Sequence, residues 1–181
     1  MKFLIASDLH GSAYWTRRLT EALPKENPDR ILLLGDLLYH GPRNDLPREY
    51  APKEVISRLT PLAGKLFCVR GNCESEVDQM VLPFPIMAEY AVLSVGERLI
   101  YATHGHHTET LIPLLKGTGN ILLQGHTHVP MCEDSDGYLH LNPGSVSIPK
   151  EQSPHSYMTL ENNTFLWKDL ETGETYREYR L

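Results

Sequence analysis

Five short segments of this 181-residue chain carry side chains that bind divalent metal ions. In chain order they are Asp8-Leu9-His10, Gly35-Asp36, Gly71-Asn72-Cys73-Glu74, His104-Gly105-His106 and Gly125-His126-Thr127-His128. One such motif alone is a weak signal. With 13 glycines and 9 histidines, however, the pattern Gly-His-any-His is expected by chance only roughly 0.03 times. All five motifs together indicate a common metal site.

The types of side chain in these segments indicate which metals the site would bind. The motifs offer seven ligands: Asp8, His10, Asp36, Asn72, His104, His126 and His128. Imidazole nitrogens mixed with carboxylate and carboxamide oxygens suit manganese, iron, zinc, cobalt or nickel. No cysteine is needed, which distinguishes the set from a structural zinc site. A carboxylate such as Asp36 can bridge two ions, so we predict a two-metal site. The alternative, in which these side chains only cap helices or satisfy loop amides, does not account for the joint pattern.

The first 70 residues alternate between strand and helix patterns. Apolar runs at residues 3–7, 30–34 and 65–69 are typical of strands, and the second of them shows no polar alternation. Helices are predicted after Ser12, a favoured N-cap, and from Pro52, a favoured first helical residue. This order predicts parallel strands whose following loops gather at one edge of a sheet. Asp8, Asp36 and Asn72 lie in those loops.

From about residue 87 the pattern changes to hairpins. Residues 90–95 and 98–103 flank Gly96-Glu97, and Asp136-Gly137 and Asn162-Asn163 mark further turns. Residues 121–124 form a strand after a short helix, and residues 164–168 and 175–180 form the last strands. No linker or repeat interrupts the chain. We therefore expect an α/β fold and a single domain over residues 1–181.

Composition and charge exclude several classes of protein. Seventeen basic residues against 23 acidic ones give a net charge of -6, which argues against binding long nucleic acid. The apolar start of the chain is too short for a signal peptide, and no apolar stretch approaches the roughly 20 residues of a membrane span. Three cysteines without a Cys-x-x-Cys pair suit reduced thiols. We expect a cytoplasmic protein without a membrane partner.

The five motifs, in this order, resemble the calcineurin-like metallophosphoesterase superfamily. Two further segments, residues 40–44 (His-Gly-Pro-Arg-Asn) and 142–150 (Asn-Pro-Gly-Ser-Val-Ser-Ile-Pro-Lys), resemble its branch of small YfcE-type phosphodiesterases. The resemblance covers residues 1–150. It implies an αββα sandwich of two mixed β-sheets flanked by helices. It also implies two divalent ions, with manganese favoured and iron, zinc, nickel, cobalt or magnesium as alternatives. One ion would be held by Asp8, His10, Asp36 and His128, and the other by Asp36, Asn72, His104 and His126.

The resemblance also implies a mechanism, in which metal-bound hydroxide attacks phosphorus in line. Many relatives carry a histidine directly after the motif asparagine and use it as general acid, whereas this chain has Cys73. A thiol is less well matched to that task than an imidazole. His106 and Glu74 are alternative acids. Two roles are open for Arg43 and Asn44. They either bind the substrate phosphate, since arginine offers a planar fork of hydrogen-bond donors, or form a surface turn.

We therefore predict a metal-dependent phosphodiesterase that hydrolyses a small phosphate ester. The chain shows no cap domain or basic tract for a folded polymer, so a nuclease is a weaker alternative, as is a phosphomonoesterase. The alternative from another class is a non-catalytic interaction scaffold, such as the retromer subunit of the same fold. Every metal-ligand position of the superfamily pattern is filled in this chain, which favours catalysis over a scaffold. The carboxy-terminal strands also offer an edge for a homo-oligomer.

Overall fold

The computed structural model describes all 181 residues, and its first half alternates strands and helices. The elements are β1 (Phe3–Ala6), α1 (Ala13–Glu26), β2 (Arg30–Leu33), α2 (Pro52–Leu59), a 3-10 helix (Thr60–Lys65), β3 (Leu66–Cys68) and α3 (Glu76–Val81). Strand β1 pairs with β2, and β2 with β3, both in parallel. The predicted β-α-β-α-β order is confirmed. Helix α3 was not predicted from the sequence.

The second half consists mainly of strands, as predicted. They are β4 (Tyr90–Val95), β5 (Arg98–Thr103), β6 (Ile121–Leu123), β7 (Met131–Ser135), β8 (Tyr138–Asn142), β9 (Ser156–Glu161), β10 (Thr164–Asp169) and β11 (Thr175–Arg180), with the short helix α4 (Ile112–Leu115) before β6. The pairs β4–β5, β7–β8 and β9–β10 are antiparallel hairpins. The longest helix, α1, has 14 residues, and none of the helices could span a membrane.

The strands form two mixed sheets that pack face to face. One has the order β11-β10-β9-β1-β2-β3, and the other has the order β4-β5-β6-β8-β7. Between them lies a core that includes Ile5, Leu32, Ile100 and Leu123. The outer face of the six-stranded sheet packs against α1 and α2, and α4 covers part of the other sheet. The predicted αββα sandwich is confirmed.

Burial on both faces explains why the central strands lack an alternating pattern. In β1, Leu4 packs toward the helices and Ile5 toward the second sheet, and both are fully buried. Helix α1 begins where the Ser12 hydroxyl accepts a hydrogen bond from the Trp15 N–H at 3.3 Å. It ends at Asn27, which has a left-handed backbone. These elements hold the ends of the parallel strands in register, at the edge where the metal-binding motifs lie.

Candidate metal centre

Asp8, His10 and His128 form a buried cluster at the end of β1. The Nε2 atoms of the two histidines lie 3.3 Å apart. Asp8 Oδ1 lies 3.6 Å from His10 Nε2 and 3.3 Å from His128 Nε2. The three ligand atoms thus converge on one point from loops 118 residues apart in sequence.

The hydrogen bonds of the two rings show that their converging atoms are acceptors. His10 Nδ1 lies 2.8 Å from the Tyr39 carbonyl oxygen, and His128 Nδ1 lies 2.6 Å from the Ile148 carbonyl oxygen. A carbonyl oxygen only accepts, so each neutral ring carries its proton on Nδ1 and leaves a lone pair on Nε2. Two lone pairs that face each other are satisfied by a metal cation or by a proton on one of the rings, and backbone carbonyls that orient the rings are typical of metal-binding histidines.

Asp8 supplies the negative charge of this cluster. Its Oδ1 atom is buried and has no hydrogen-bond partner, whereas Oδ2 accepts the His126 backbone N–H at 3.1 Å. Burial opposes ionisation, but His10 and His128 outweigh it and hold the pKa of Asp8 below its usual range. Burial likewise opposes a charged His10, but Asp8 raises the pKa of that ring. An unpaired buried carboxylate oxygen beside two lone pairs fits a divalent cation.

A second group of acceptors lies beside the first. His104 Nε2 lies 3.1 Å from Asn72 Oδ1 and 3.2 Å from His126 Nδ1. Because His104 Nδ1 lies 2.7 Å from the Leu34 carbonyl oxygen, the neutral form of the ring carries its proton on Nδ1 and offers the lone pair of Nε2 to a cation. Burial lowers the pKa of His104, but Asp36 and Asp8 outweigh burial and raise it to about 9. This group also fits a cation.

Asp36 joins the two groups. Its Oδ2 atom lies 3.6 Å from His10 Nε2 and 3.5 Å from His104 Nε2. Oδ1 accepts the Cys73 backbone N–H at 2.9 Å, which orients the carboxylate. Burial raises the pKa of Asp36, but His104 outweighs that effect and lowers it. The carboxylate therefore lies within 3.6 Å of one histidine nitrogen from each group.

The backbone at these positions is unusual. Twelve non-glycine residues have a positive φ, and five of them are predicted ligands: Asp8, His10, Asp36, His126 and His128. Such conformations are unfavourable for residues with a Cβ atom and persist where the surrounding structure enforces them, often at functional sites. The sequence analysis identified these residues by type but not by this strain.

Glu74 holds the backbone of the loop that carries Asp36. The motif alone did not reveal this function. Its carboxylate accepts the backbone N–H groups of Asp36 at 2.8 Å, Leu37 at 2.7 Å and Gly71 at 2.5 Å. Burial and nearby Asp36 raise the pKa of Glu74. Both oxygens are therefore engaged with backbone groups of the loops that follow β2 and β3. This placement makes Glu74 a positioning residue for the Asp36 loop.

The 142–150 segment supports the Asp8 loop in a similar way. The hydroxyls of Ser145 and Ser147 both donate to the Asp8 carbonyl oxygen, at 3.0 and 2.9 Å. The Val146 N–H donates to the Ser7 carbonyl oxygen at 3.0 Å. The turn predicted from Asn142 onward thus fixes the backbone of the loop that carries Asp8.

A cleft of about 410 Å³ opens at Asp36 and three further predicted ligands, Asn72, His126 and His128. It is lined by Asp36, Gly41, Pro42, Arg43, Asn44, Asn72, Cys73, His126, Thr127, His128 and Lys150. Arg43 and Lys150 form no ion pair within the chain. Lys150 was missed, although it ends a segment that the sequence analysis singled out. Its backbone N–H donates to the His128 carbonyl oxygen at 3.2 Å.

The candidate acids occupy different places. Cys73 lines the cleft, and burial together with Asp36 raises the pKa of its thiol. His106 lies beside the second group of ligands, with its ring centroid 5.4 Å from that of His104, but is absent from the cleft lining. Asn44 is held by its own loop, since its side-chain amide donates to the His40 carbonyl oxygen at 2.8 Å.

Comparison with known proteins identifies the family. Residues 1–164 match the model of the calcineurin-like phosphoesterase superfamily domain. The chain belongs to this superfamily. It is 45% identical over 164 residues to the phosphodiesterase YfcE of Escherichia coli K12, which covers 90% of this chain and 89% of the relative. The structure of the YfcE phosphoesterase from E. coli superposes with a TM-score of 0.92 and 42% identity, over 99% of this chain and 98% of that one.

More distant solved structures share the fold. The zinc complex of Vps29 from Entamoeba histolytica has a TM-score of 0.61 and 23% identity, over 100% of this chain and 98% of that one. At that identity the likeness concerns the fold alone. The predicted superfamily and enzyme class, a phosphoric ester hydrolase, are confirmed, as is the metallophosphoesterase sandwich.

Proposed function

We propose that this protein is a metal-dependent phosphodiesterase that hydrolyses a small phosphate ester at a dinuclear centre. The observation that carries the proposal is that histidine nitrogens and carboxylate oxygens converge in two adjacent groups, the first buried and the second partly buried, with Asp36 between them. Membership in the superfamily and the likeness to the phosphodiesterase YfcE support the reaction class. We propose that residues 1–181 act as one domain, because both sheets share one core.

The two groups divide the ligands between two ions. Asp8, His10, Asp36 and His128 would hold one ion, and Asp36, Asn72, His104 and His126 would hold the other. When bound, such a pair lowers the pKa of water to supply hydroxide as nucleophile and neutralises charge on the phosphoryl oxygens. Manganese is the favoured ion. Iron, zinc, nickel and cobalt are alternatives that suit the imidazole ligands, and magnesium is an alternative that would rely on the oxygen ligands.

Residues of the cleft would bind and orient the ester. Arg43 offers a planar fork of donors and Lys150 a mobile ammonium, and neither is neutralised within the chain. Both would attract the phosphodiester anion to the cleft. The modest size of the cleft suits a small ester rather than a folded polymer. Cys73 and His106 remain the candidate acids for the leaving group.

An interaction scaffold is the alternative that the fold allows, because Vps29 shares it. The complete set of ligand side chains favours catalysis in this chain. All three cysteines are free, which suits the reducing cytoplasm that we propose as the site of action.

The proposal is tested by removing and restoring metal. Protein stripped with chelator should lose hydrolysis of bis(p-nitrophenyl) phosphate, and manganese should restore it with two ions bound per chain by metal analysis. Magnesium, zinc, nickel and cobalt provide the comparison series. Undiminished turnover by demonstrably metal-free protein would contradict the proposed chemistry. Two bound ions without hydrolysis of any phosphate ester would favour the scaffold.

A further inference from the structure

A second cavity, of about 390 Å³, lies beside the cleft of the metal centre. Cys73 lines both of them, so the cleft and the cavity meet at that side chain. Tyr39 provides another link, because its side chain borders the cavity while its carbonyl oxygen orients the ring of His10. A group bound in the cavity would therefore lie next to a phosphate bound in the cleft.

The walls of this cavity are mainly apolar, unlike those of the cleft. They include Tyr39 and Tyr50 from the segment between β2 and α2, Ile56 from α2 and Val81 from α3. Tyr39 and Val81 are 42% and 48% exposed. An apolar group that covers them removes this surface from water, which favours binding.

The cavity offers no charged partner to an anion. No lysine or arginine lines it, and its one carboxylate belongs to Asp78. That carboxylate accepts the Ser75 N–H at 2.8 Å and the Ser75 hydroxyl at 2.9 Å, which caps the start of α3. The cationic side chains Arg43 and Lys150 line the cleft instead. The phosphate of an ester therefore belongs in the cleft, and an uncharged part of the same molecule fits the cavity.

The two tyrosines favour a flat aromatic group over an aliphatic one. The His40 ring packs edge-on against both of them, with centroids 4.8 Å from Tyr39 and 5.1 Å from Tyr50. These contacts restrict the two tyrosine rings, and pairs of aromatic rings gain free energy beyond that of apolar burial. The volume of the cavity is ample for a bicyclic ring system.

We propose that this cavity binds the alcohol that leaves on hydrolysis, and that this alcohol carries an aromatic ring system. The inference rests on the proposed phosphodiesterase function and narrows its substrates to diesters with an aromatic ester group. Cys73, a candidate acid for the leaving group, lies where the cleft meets the cavity. The group beyond it is therefore the one that departs. Tyr39 and Val81 determine specificity, because they contact that group away from the reacting atoms.

Two methyl aryl diesters whose leaving groups have similar pKa values test the proposal. Methyl 2-naphthyl phosphate should have a kcat/KM about tenfold above that of methyl phenyl phosphate, chiefly through KM, because the larger ring system covers more of the apolar wall. Val81→Asp places a carboxylate in that wall. Tyr39→Ala removes one ring but keeps the carbonyl that orients His10. Each variant should bring the two kcat/KM values close to equality.

The matched control is Val77→Asp, which adds the same charge to the same helix. Val77 is 66% exposed and does not line the cavity, so this variant should keep the naphthyl preference. Bound metal should stay at the wild-type level in all three variants, because each leaves the proposed ligands in place. A naphthyl preference that survives both Val81→Asp and Tyr39→Ala would overturn the proposal. An equal loss of that preference in Val77→Asp would overturn it as well.

A second pair of esters separates the leaving group from the group that stays on phosphorus. With p-nitrophenol as leaving group in both, exchange of the retained methyl for 2-naphthyl should give no gain in kcat/KM that Val81→Asp removes. Such a gain would place the retained group in the cavity and overturn the assignment. Failure to hydrolyse any phosphate ester would contradict the proposed function itself. An active enzyme without a naphthyl preference would overturn only the assignment of the cavity.

Discussion

His10 and His128 direct their Nε2 atoms at each other across 3.3 Å, and both rings donate their Nδ1 proton to a backbone carbonyl oxygen. Neither neutral ring has a proton to place between the two nitrogens. In a protein without metal, these buried acceptors lose their water and gain a donor only when one ring takes up a proton, which Asp8 favours for His10. Tyr39 and Ile148, which supply the carbonyl oxygens, therefore determine the binding geometry although neither side chain is a ligand.

The bridging position of Asp36 predicts the largest effect of any single ligand substitution. Asp36→Asn removes the negative charge that both ions share and that offsets their mutual repulsion. We expect hydrolysis to fall further than in His10→Ala, His104→Ala or any other single-histidine variant. Bound metal should fall below two ions per chain. An Asp36→Asn protein with two ions and near-normal turnover would show that Asp36 is not the bridge.

With Cys73 in the position of the general acid, we expect the rate of hydrolysis to depend on the pKa of the leaving group. A thiol matches the task of general acid less well than an imidazole, so aryl esters, which leave as stable anions, should react far faster than alkyl esters. Cys73→Ala should barely change the aryl rate. Cys73→His should raise the alkyl rate if the ring reaches the departing oxygen. The measurement is a series of esters of graded leaving-group pKa. Wild-type rates that are independent of that pKa, and that collapse for poor leaving groups in Cys73→Ala, would identify Cys73 as an effective acid.

Arg43 and Lys150 are the two cationic side chains of the cleft. We expect the removal of either one to weaken substrate binding. Arg43→Ala and Lys150→Ala should each lower kcat/KM for bis(p-nitrophenyl) phosphate about tenfold, equivalent to about 1.4 kcal/mol, chiefly through KM. Bound metal should remain at the wild-type level, because neither residue is a proposed ligand. Lys53→Ala, an exposed lysine of α2 that does not line the cleft, is the control. Unchanged KM in both variants would make the Arg43 segment a surface turn.

A buried ion cluster far from the metal centre predicts a pH-dependent stability. The Glu26 carboxylate accepts the Lys168 ammonium at 2.6 Å, the Lys2 ammonium at 3.0 Å and the Tyr157 hydroxyl at 2.9 Å. Burial raises the pKa of Glu26, but these donors outweigh it and lower the pKa below the usual 4.5. A folded-state pKa below the unfolded one stabilises the fold at pH values above the unfolded pKa. That stabilisation is lost as the pH falls through the folded pKa.

Glu26→Gln should therefore lower the free energy of unfolding by about 3 kcal/mol at pH 7, since it leaves two lysines beside a neutral amide. The difference from wild type should begin to shrink as the pH falls below about 4.5, the ordinary value of the unfolded carboxyl, and should vanish below the lower folded-state pKa, where the native carboxyl is neutral too. Urea denaturation across this pH range measures it. Glu21→Gln, whose ion pair with Arg18 on the same helix is exposed, should have little effect. A difference that is constant with pH would exclude a charge effect at Glu26.

The amino-acid sequence by itself determined the ligand types and most of the elements that carry them. The β-α-β-α-β order follows from apolar runs and helix starts such as Ser12 and Pro52, because local patterns encode local structure. Parallel strands then bring the following loops to one edge, so the convergence of Asp8 and Asp36 was predictable from topology. The motif order also sufficed to indicate the superfamily.

Only the tertiary structure decided how those side chains face one another. No local pattern encodes a contact across 118 residues, such as that between His10 and His128, nor the tautomers that distant carbonyl oxygens impose. Glu74 looked like a candidate acid in its motif, but three backbone amides surround its carboxylate. Likewise, Tyr39 and Val81 border one cavity only because the fold brings α3 against the segment that follows β2. Orientation and exposure depend on the whole fold, because each arises from contacts between segments that the chain brings together only on folding.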